Sequence, residues 1–217
     1  ELVEDSEPIV NGANIIAGSL IKNLGGTIVP TGGYVVGDSN LVEMACSRLT
    51  APGIGSEGGV NFGLGRLILQ GLFLSPQMVC ESLNCADLFA LVFSKLGFDV
   101  LPKPGLYRSD IIQSIQLKDP LLMQIICQSL QSTSPVDSFL NVLPSPMNGY
   151  SSNLIMSGGT FVEGSTSEFS ADAPLREPYN LFVQGGTHIS HAKIALIQLI
   201  LKLLKENLIN KEFLNSL

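Results

Sequence analysis

The chain is poor in histidine, cysteine and charge. It has two histidines, four cysteines and 14% charged residues among 217. With only His188 and His191, a histidine-rich metal site is excluded. No H-E-x-x-H and no G-x-S-x-G occurs, so zincin and serine-hydrolase readings have no support. Cys46, Cys80, Cys85 and Cys127 form no C-x-x-C pair. They read as small buried hydrophobes in a reducing compartment, not as disulfides or metal ligands. That usage points to a cytoplasmic protein. There is no N-glycosylation triplet, no signal peptide and no run long enough to span a bilayer, so no membrane partner is expected. The net charge of −7 argues against a nucleic-acid partner. Hydrophobic residues make up 45%, which excludes a disordered chain. At roughly 150 residues per domain, the length corresponds to about one and a half domains.

Glycine is unevenly spread. Thirteen of the 22 fall between Gly12 and Gly65, which marks backbone that approaches something closely or takes positive φ. Residues 13–17 read as a buried strand and 32–37 as a second. A helix opens at Asp38-Ser39-Asn40, with Asn40 and Glu43 at capping-box spacing, and runs to about Thr50. A helical pattern covers 60–74. Ser75-Pro76 then breaks or restarts it, giving a second helix over 77–96 that ends at Gly97. Further strands are expected at 98–101, 110–117, 153–157, 160–162, 166–170 and 179–184. Helices are expected at 119–133 and 188–208. Strand–helix alternation with glycine-rich junctions indicates an α/β architecture. A composition shift puts a domain boundary near residue 98, giving parts 1–97 and 98–217.

Few residues carry chemistry. Lys22 ends an apolar stretch, where desolvation can turn its amine into a nucleophile for Schiff-base chemistry; it can equally snorkel from a strand end. Ser19, three residues earlier, can donate to a phosphate. Arg176, at a strand entry, can clamp a carboxylate through both guanidinium nitrogens, or pair with Asp172 or Glu177. The segment Gly53-Ile54-Gly55-Ser56-Glu57-Gly58-Gly59 can present N–H groups to an anion or serve as a connector; it matches neither phosphate-binding fingerprint. Asp137 and Glu163 read as surface carboxylates, and the two histidines as caps or surface groups.

The block Gly18-Ser19-Leu20-Ile21-Lys22-Asn23-Leu24-Gly25-Gly26, then Pro30-Thr31-Gly32-Gly33-Tyr34-Val35-Val36-Gly37, resembles the cofactor-lysine region of the aluminium-resistance, methionine γ-lyase-like family. The resemblance continues through Arg48 to Gly55, Gln70 to Pro76, Ser134 to Ser138, Gly159 to Val162 and Ser170 to Tyr179. The family's members are pyridoxal-phosphate proteins of fold type I related to the cystathionine lyases. The resemblance implies the end of a large cofactor-binding α/β domain (1–97) followed by a small α+β domain (98–217). It implies a carbon–sulfur lyase acting on a sulfur amino acid, with a homo-oligomeric parent. Lys22 would form the internal aldimine and then move the α-proton, Ser19 would contact the cofactor phosphate, and Arg176 would hold the substrate carboxylate. Related lyases often have Thr immediately before the lysine; Ile21 stands there. The family's chains are much longer, and residues 1–14 hold no aromatic to cover a cofactor. Together with Glu at position 1, this makes the chain read as a fragment of such an enzyme. The alternatives are a catalytically incomplete product that keeps only the fold, and a pyridoxal-phosphate enzyme of another reaction, such as an aminotransferase.

Overall fold

The computed structural model describes residues 2–209. By internal contacts the chain divides into two units: residues 1–77 with 162–165, and residues 78–161 with 166–217. The compositional boundary near residue 98 coincides instead with the end of a long helix and the start of a five-stranded sheet.

The first unit contains an antiparallel pair, β1 (Ile15–Ser19) and β2 (Gly33–Gly37), in register from Ile15–Gly37 to Ser19–Gly33. Between them lies a single 3-10 turn, Asn23–Gly25. Helix α1 (Ser39–Leu49) follows directly. Its cap is Asp38, whose carboxylate accepts from the N–H groups of Asn40 and Leu41 at 2.9 and 3.2 Å. The expected Asn40–Glu43 box is not used. Asp38 sits where a side-chain oxygen reaches the free donors of the first turn, so Asn40 is already inside the helix.

Helix α2 (Gly65–Lys95) is continuous through Pro76, against the expected break. Proline has no N–H to give to the carbonyl four residues earlier, Leu72. The Ser75 hydroxyl donates to that carbonyl at 2.8 Å from a fully buried position. The serine replaces the missing bond, and the helix passes the proline.

In the second unit, β3 (Asp99–Leu101), β4 (Ile112–Gln116), β5 (Leu154–Ser157), β6 (Ser170–Pro174) and β7 (Asn180–Gln184) pair antiparallel in the order β3-β4-β7-β6-β5. Helices α3 (Pro120–Gln131) and α4 (Ile189–Lys205) complete it. Alternation along the strands decides what is buried. Ile115, Ala171, Ala173, Leu181 and Val183 lie in a core shared with the last three turns of α2, α3 and α4. Within it, Phe89 lies 6.0 Å from Phe93 and 5.3 Å from Phe169 between ring centroids. Aromatic pairs at these separations add attraction beyond the area they bury. The imidazole of His188 caps α4, accepting from Ser190 N–H at 3.1 Å. His191 is half-buried and bonds the Thr133 carbonyl at 2.8 Å.

Two strand expectations fail. Residues 160–162 and 166–169 form a loop, and the strand begins only at Ser170. Their backbone is satisfied by other partners: Phe161 N–H donates to the Glu168 carboxylate at 2.8 Å, and Gly186 N–H to the Ser167 carbonyl at 2.9 Å. Buried backbone must be paired, and here the loop does it without a ladder. The cysteines are also not uniform. Cys85 and Cys127 are buried, Cys46 is half-buried and Cys80 is exposed, because Cys80 lies on the outward stripe of α2.

Two outcomes follow from these contacts. Replacing Ser75 by Ala leaves the Leu72 carbonyl without its donor and should lower the unfolding free energy by about 1–3 kcal/mol; the thermal midpoint followed by circular dichroism reads it. Burial pushes the thiols of Cys85 and Cys127 up to about 12, with Glu81 and Asp172 respectively adding to the rise. The thiolate is the reactive form. Iodoacetamide at mildly alkaline pH should therefore label Cys80 in the folded chain and spare Cys85 and Cys127, with all three labelled in denaturant.

Candidate functional site

Lys22 is the residue just before the 3-10 turn, in extended backbone. The turn is held at both ends. Lys22 N–H donates to the Ser19 carbonyl at 3.3 Å, and Gly25 N–H to the Lys22 carbonyl at 3.1 Å. Behind it, the backbone of Gly25 and Gly26 presses on the backbone of α2 at Gly71. A Cβ built on Gly26 would lie 2.4 Å from the Gly71 carbonyl oxygen, and one on Gly71 would lie 2.3 Å from that of Gly25. Only residues without a side chain permit this approach. The glycine cluster seen in the sequence is thus used, in part, to seat the lysine turn.

Ser19 ends β1 beside this turn. Its hydroxyl oxygen accepts from Ile21 N–H at 3.3 Å, which leaves the hydroxyl proton to be donated. Across the ribbon, the Tyr34 ring lies over Gly18, where a Cβ would meet it at 2.6 Å. The Lys22 amine is oriented: Nζ donates to the Gly164 carbonyl at 2.5 Å. The structure therefore brings Lys22 and Ser19 into one turn, and adds a third participant, Gly164, that sequence reasoning missed. Its signal was a glycine between two expected strands, which announces a turn but not a lysine partner.

Arg176 belongs to the second unit, in the connection between β6 and β7. Its backbone is fixed on both sides: its N–H donates to the Pro174 carbonyl at 2.9 Å, and its carbonyl accepts from Tyr179 N–H at 2.8 Å. Its side chain is exposed and forms no ion pair among the described residues, so neither Asp172 nor Glu177 holds it. With Pro174, Glu177, Pro178, Asn180 and Phe182 it lines a cavity of about 200 Å³.

Arg108 and Asp87 form a structural group. The Arg108 side chain is 6% exposed, donates to the Gln113 side chain at 2.5 Å and faces Asp87 at 3.6 Å. Burial pushes its guanidinium down and Asp87 partly offsets this. The Asp87 carboxylate also accepts from Gly105 N–H at 2.8 Å, so the group ties the 102–110 loop to α2 and β4. No sequence spacing announced it. Asp137 and Glu163 are exposed, and residues 53–59 form a turn-rich connector. Among the described residues, no helix is long and apolar enough to cross a membrane.

Three comparisons bear on this arrangement. An uncharacterised protein of Bacillus subtilis, YnbB, is 42% identical over 209 residues, covering 96% of this chain and 50% of that protein. The crystal structure of a carbon–sulfur lyase involved in aluminium resistance from Clostridium novyi is 45% identical and superposes with a TM-score of 0.86, covering 93% of this chain and 47% of that one. A provisionally assigned cystathionine beta-lyase involved in aluminium resistance from Clostridium acetobutylicum is 44% identical, with a TM-score of 0.87 over 94% of this chain and 47% of that one. The chain thus spans about half the length of the first relatives it matches. The methionine gamma-lyase family profile covers residues 1–204, including the lysine turn, the Arg176 connection and the whole five-stranded sheet, and the chain belongs to that family.

Proposed function

We propose that this chain carries the lysine, one phosphate contact and the carboxylate clamp of a pyridoxal-phosphate-dependent carbon–sulfur lyase acting on a sulfur amino acid. The observation that carries the reading is the Lys22 amine, directed to the Gly164 carbonyl from a turn whose backbone is bonded to Ser19. Residues 1–97 are read as the end of the cofactor-binding domain, and 98–217 as the small domain. Family membership and the carbon–sulfur lyase named among the structural relatives support this choice.

The residues present fit one end of the cofactor. A primary amine is available for a carbonyl, and a hydroxyl with a free proton lies three residues away for a phosphate oxygen. Pyridoxal phosphate, when bound, supplies the carbonyl and an electron-withdrawing ring that accepts the charge left at the substrate α-carbon. Lys22 would hold the cofactor by its amine. Freed by exchange with the substrate amine, it would take the α-proton, which calls for an amine able to accept and return a proton within hydrogen-bond reach. Arg176 would bind the substrate α-carboxylate through two parallel N–H···O contacts, fixing the direction of the Cα–H bond. The neighbouring Phe182 offers an apolar wall in the same cavity.

The test is a cofactor trap. The chain is incubated with pyridoxal phosphate, reduced with borohydride and mapped by peptide mass spectrometry. One adduct per chain at Lys22, absent in Lys22→Ala, is the expected result; scattered low labelling of surface lysines would favour a chain that keeps only the fold. In the full-length parent, Lys22→Ala should lower elimination turnover by at least about a thousandfold, the scale of a positioned acid–base group. There, Arg176→Ala should raise KM for the amino-acid substrate by about 10–100-fold, the worth of a charged hydrogen-bonded pair. Product analysis separates elimination, which yields ammonia and a 2-oxo acid, from amino transfer, which yields a new amino acid.

A further inference from the structure

Residues 162–165 are the one stretch beyond Gln77 whose contacts belong to the first unit. The stretch is a closed turn, with Ser165 N–H donating to the Val162 carbonyl at 3.0 Å. Val162 and Ser165 are 7% and 4% exposed. Gly164 lies at φ +78, and a Cβ there would sit 3.3 Å from Ile21 Cδ1. Its carbonyl is the acceptor for the Lys22 amine. The Ser165 hydroxyl is buried with no hydrogen-bond partner. A buried orphan of this kind costs stability, so other contacts must offset it to hold the turn. The Lys22 ammonium is a charged side chain that holds the turn's backbone, at Gly164.

We propose that the Val162–Ser165 turn is a positioning element of the lysine site: the Gly164 carbonyl holds the Lys22 amine while it is free and releases it when the amine condenses with a carbonyl compound. This rests on the reading of Lys22 as an imine-forming lysine. In the condensation the nitrogen becomes doubly bonded to the carbonyl carbon, and two amine hydrogens leave with the carbonyl oxygen as water. The nitrogen keeps at most one hydrogen, fixed in the plane of the new N=C bond, so the three-donor ammonium that served Gly164 is gone. The turn is then untied on one side. By linkage, the state of the turn and the combination of Lys22 affect each other equally.

Hydrogen exchange read by mass spectrometry over residues 158–168 of the full chain tests this, with amides of β4 and β7 as the folding control. The free wild-type chain should be protected. Pyridoxal phosphate should speed exchange of this segment by roughly tenfold, the scale of one lost hydrogen bond to a charged donor. Lys22→Ala should reach the same rate without the cofactor. Lys22→Arg, which keeps a donor but cannot form an imine with the probe, should stay protected in both conditions. Lys22→Ala exchanging like wild type, with the β4 and β7 control unchanged, would overturn the proposal. An adduct at Lys22 with no change in exchange would also overturn it, while leaving the lysine reading intact. Absence of any adduct at Lys22 would overturn that reading and the proposal with it.

Discussion

The first unit depends on a contact between bare backbones. Gly25 and Gly26 meet Gly71 of α2 so closely that no side chain fits at any of the three, and a Cβ on Gly25 would lie 1.7 Å from the Leu20 carbonyl oxygen. Such a contact has no rotamers to average over. It sets the distance of the Asn23–Gly25 turn from the helix, and Lys22 is the residue that enters that turn. Lysine carries about 2 kcal/mol of rotamer entropy, so a lysine that must present its amine in one place gains most from a rigid root. The continuity of α2 past Pro76 is part of the same device. Gly71 lies five residues before the proline, and a helix broken there would let the Gly71 segment turn away from the glycine pair. The Ser75 hydroxyl on the Leu72 carbonyl therefore bears on the lysine through the helix it keeps whole.

Much of this was legible in the sequence. The clustering of glycine between Gly12 and Gly65 pointed to a region of close approach, Lys22 was singled out by its place at the end of an apolar stretch, and Ser19 by standing three residues before it. The errors have identifiable causes. Ser-Pro is a helix-start pattern because proline is tolerated at the first helical position. The same pair inside a helix repairs itself when the serine points back at the orphaned carbonyl, and sequence does not say which way it points. Residues 160–162 and 166–170 alternate like strands. A buried glutamate, Glu168, captures the Phe161 N–H, and of these residues only Ser170 joins a strand. Asp38 took the cap expected of Asn40 because caps are chosen by geometry at the chain's entry, not by spacing alone. The Arg108, Asp87 and Gln113 group was invisible, since its members meet only through the tertiary fold.

The second unit treats its candidate residue differently. Its core is one-sided: Leu181 and Val183 are buried with Ile115 and Ala173, while Asn180 and Phe182 alternate to the other face. Arg176 stands on the connection that joins β6 to β7, two central elements of that packed sheet. Pro174 and Pro178 lock φ on either side, and two backbone hydrogen bonds close the bend. For a clamp this is advantageous. Binding a carboxylate through a planar fork loses little further freedom when the backbone is already fixed.

The two candidate groups thus share rigid roots and differ in what their tips must do. A guanidinium that binds a carboxylate should hold one geometry throughout a reaction, and among the described residues Arg176 has no ion pair to leave first. An amine that combines with a carbonyl, departs and then moves a proton must exchange partners repeatedly. Such a group needs a waiting partner of modest strength: a carboxylate would trap the ammonium by direct charge pairing, whereas open water would leave it unplaced. A backbone carbonyl lies between these extremes, because it accepts one hydrogen bond without carrying net charge. Gly164 offers that acceptor on a turn whose glycine takes a positive φ, so the Lys22 amine is directed in the free chain and remains free to leave.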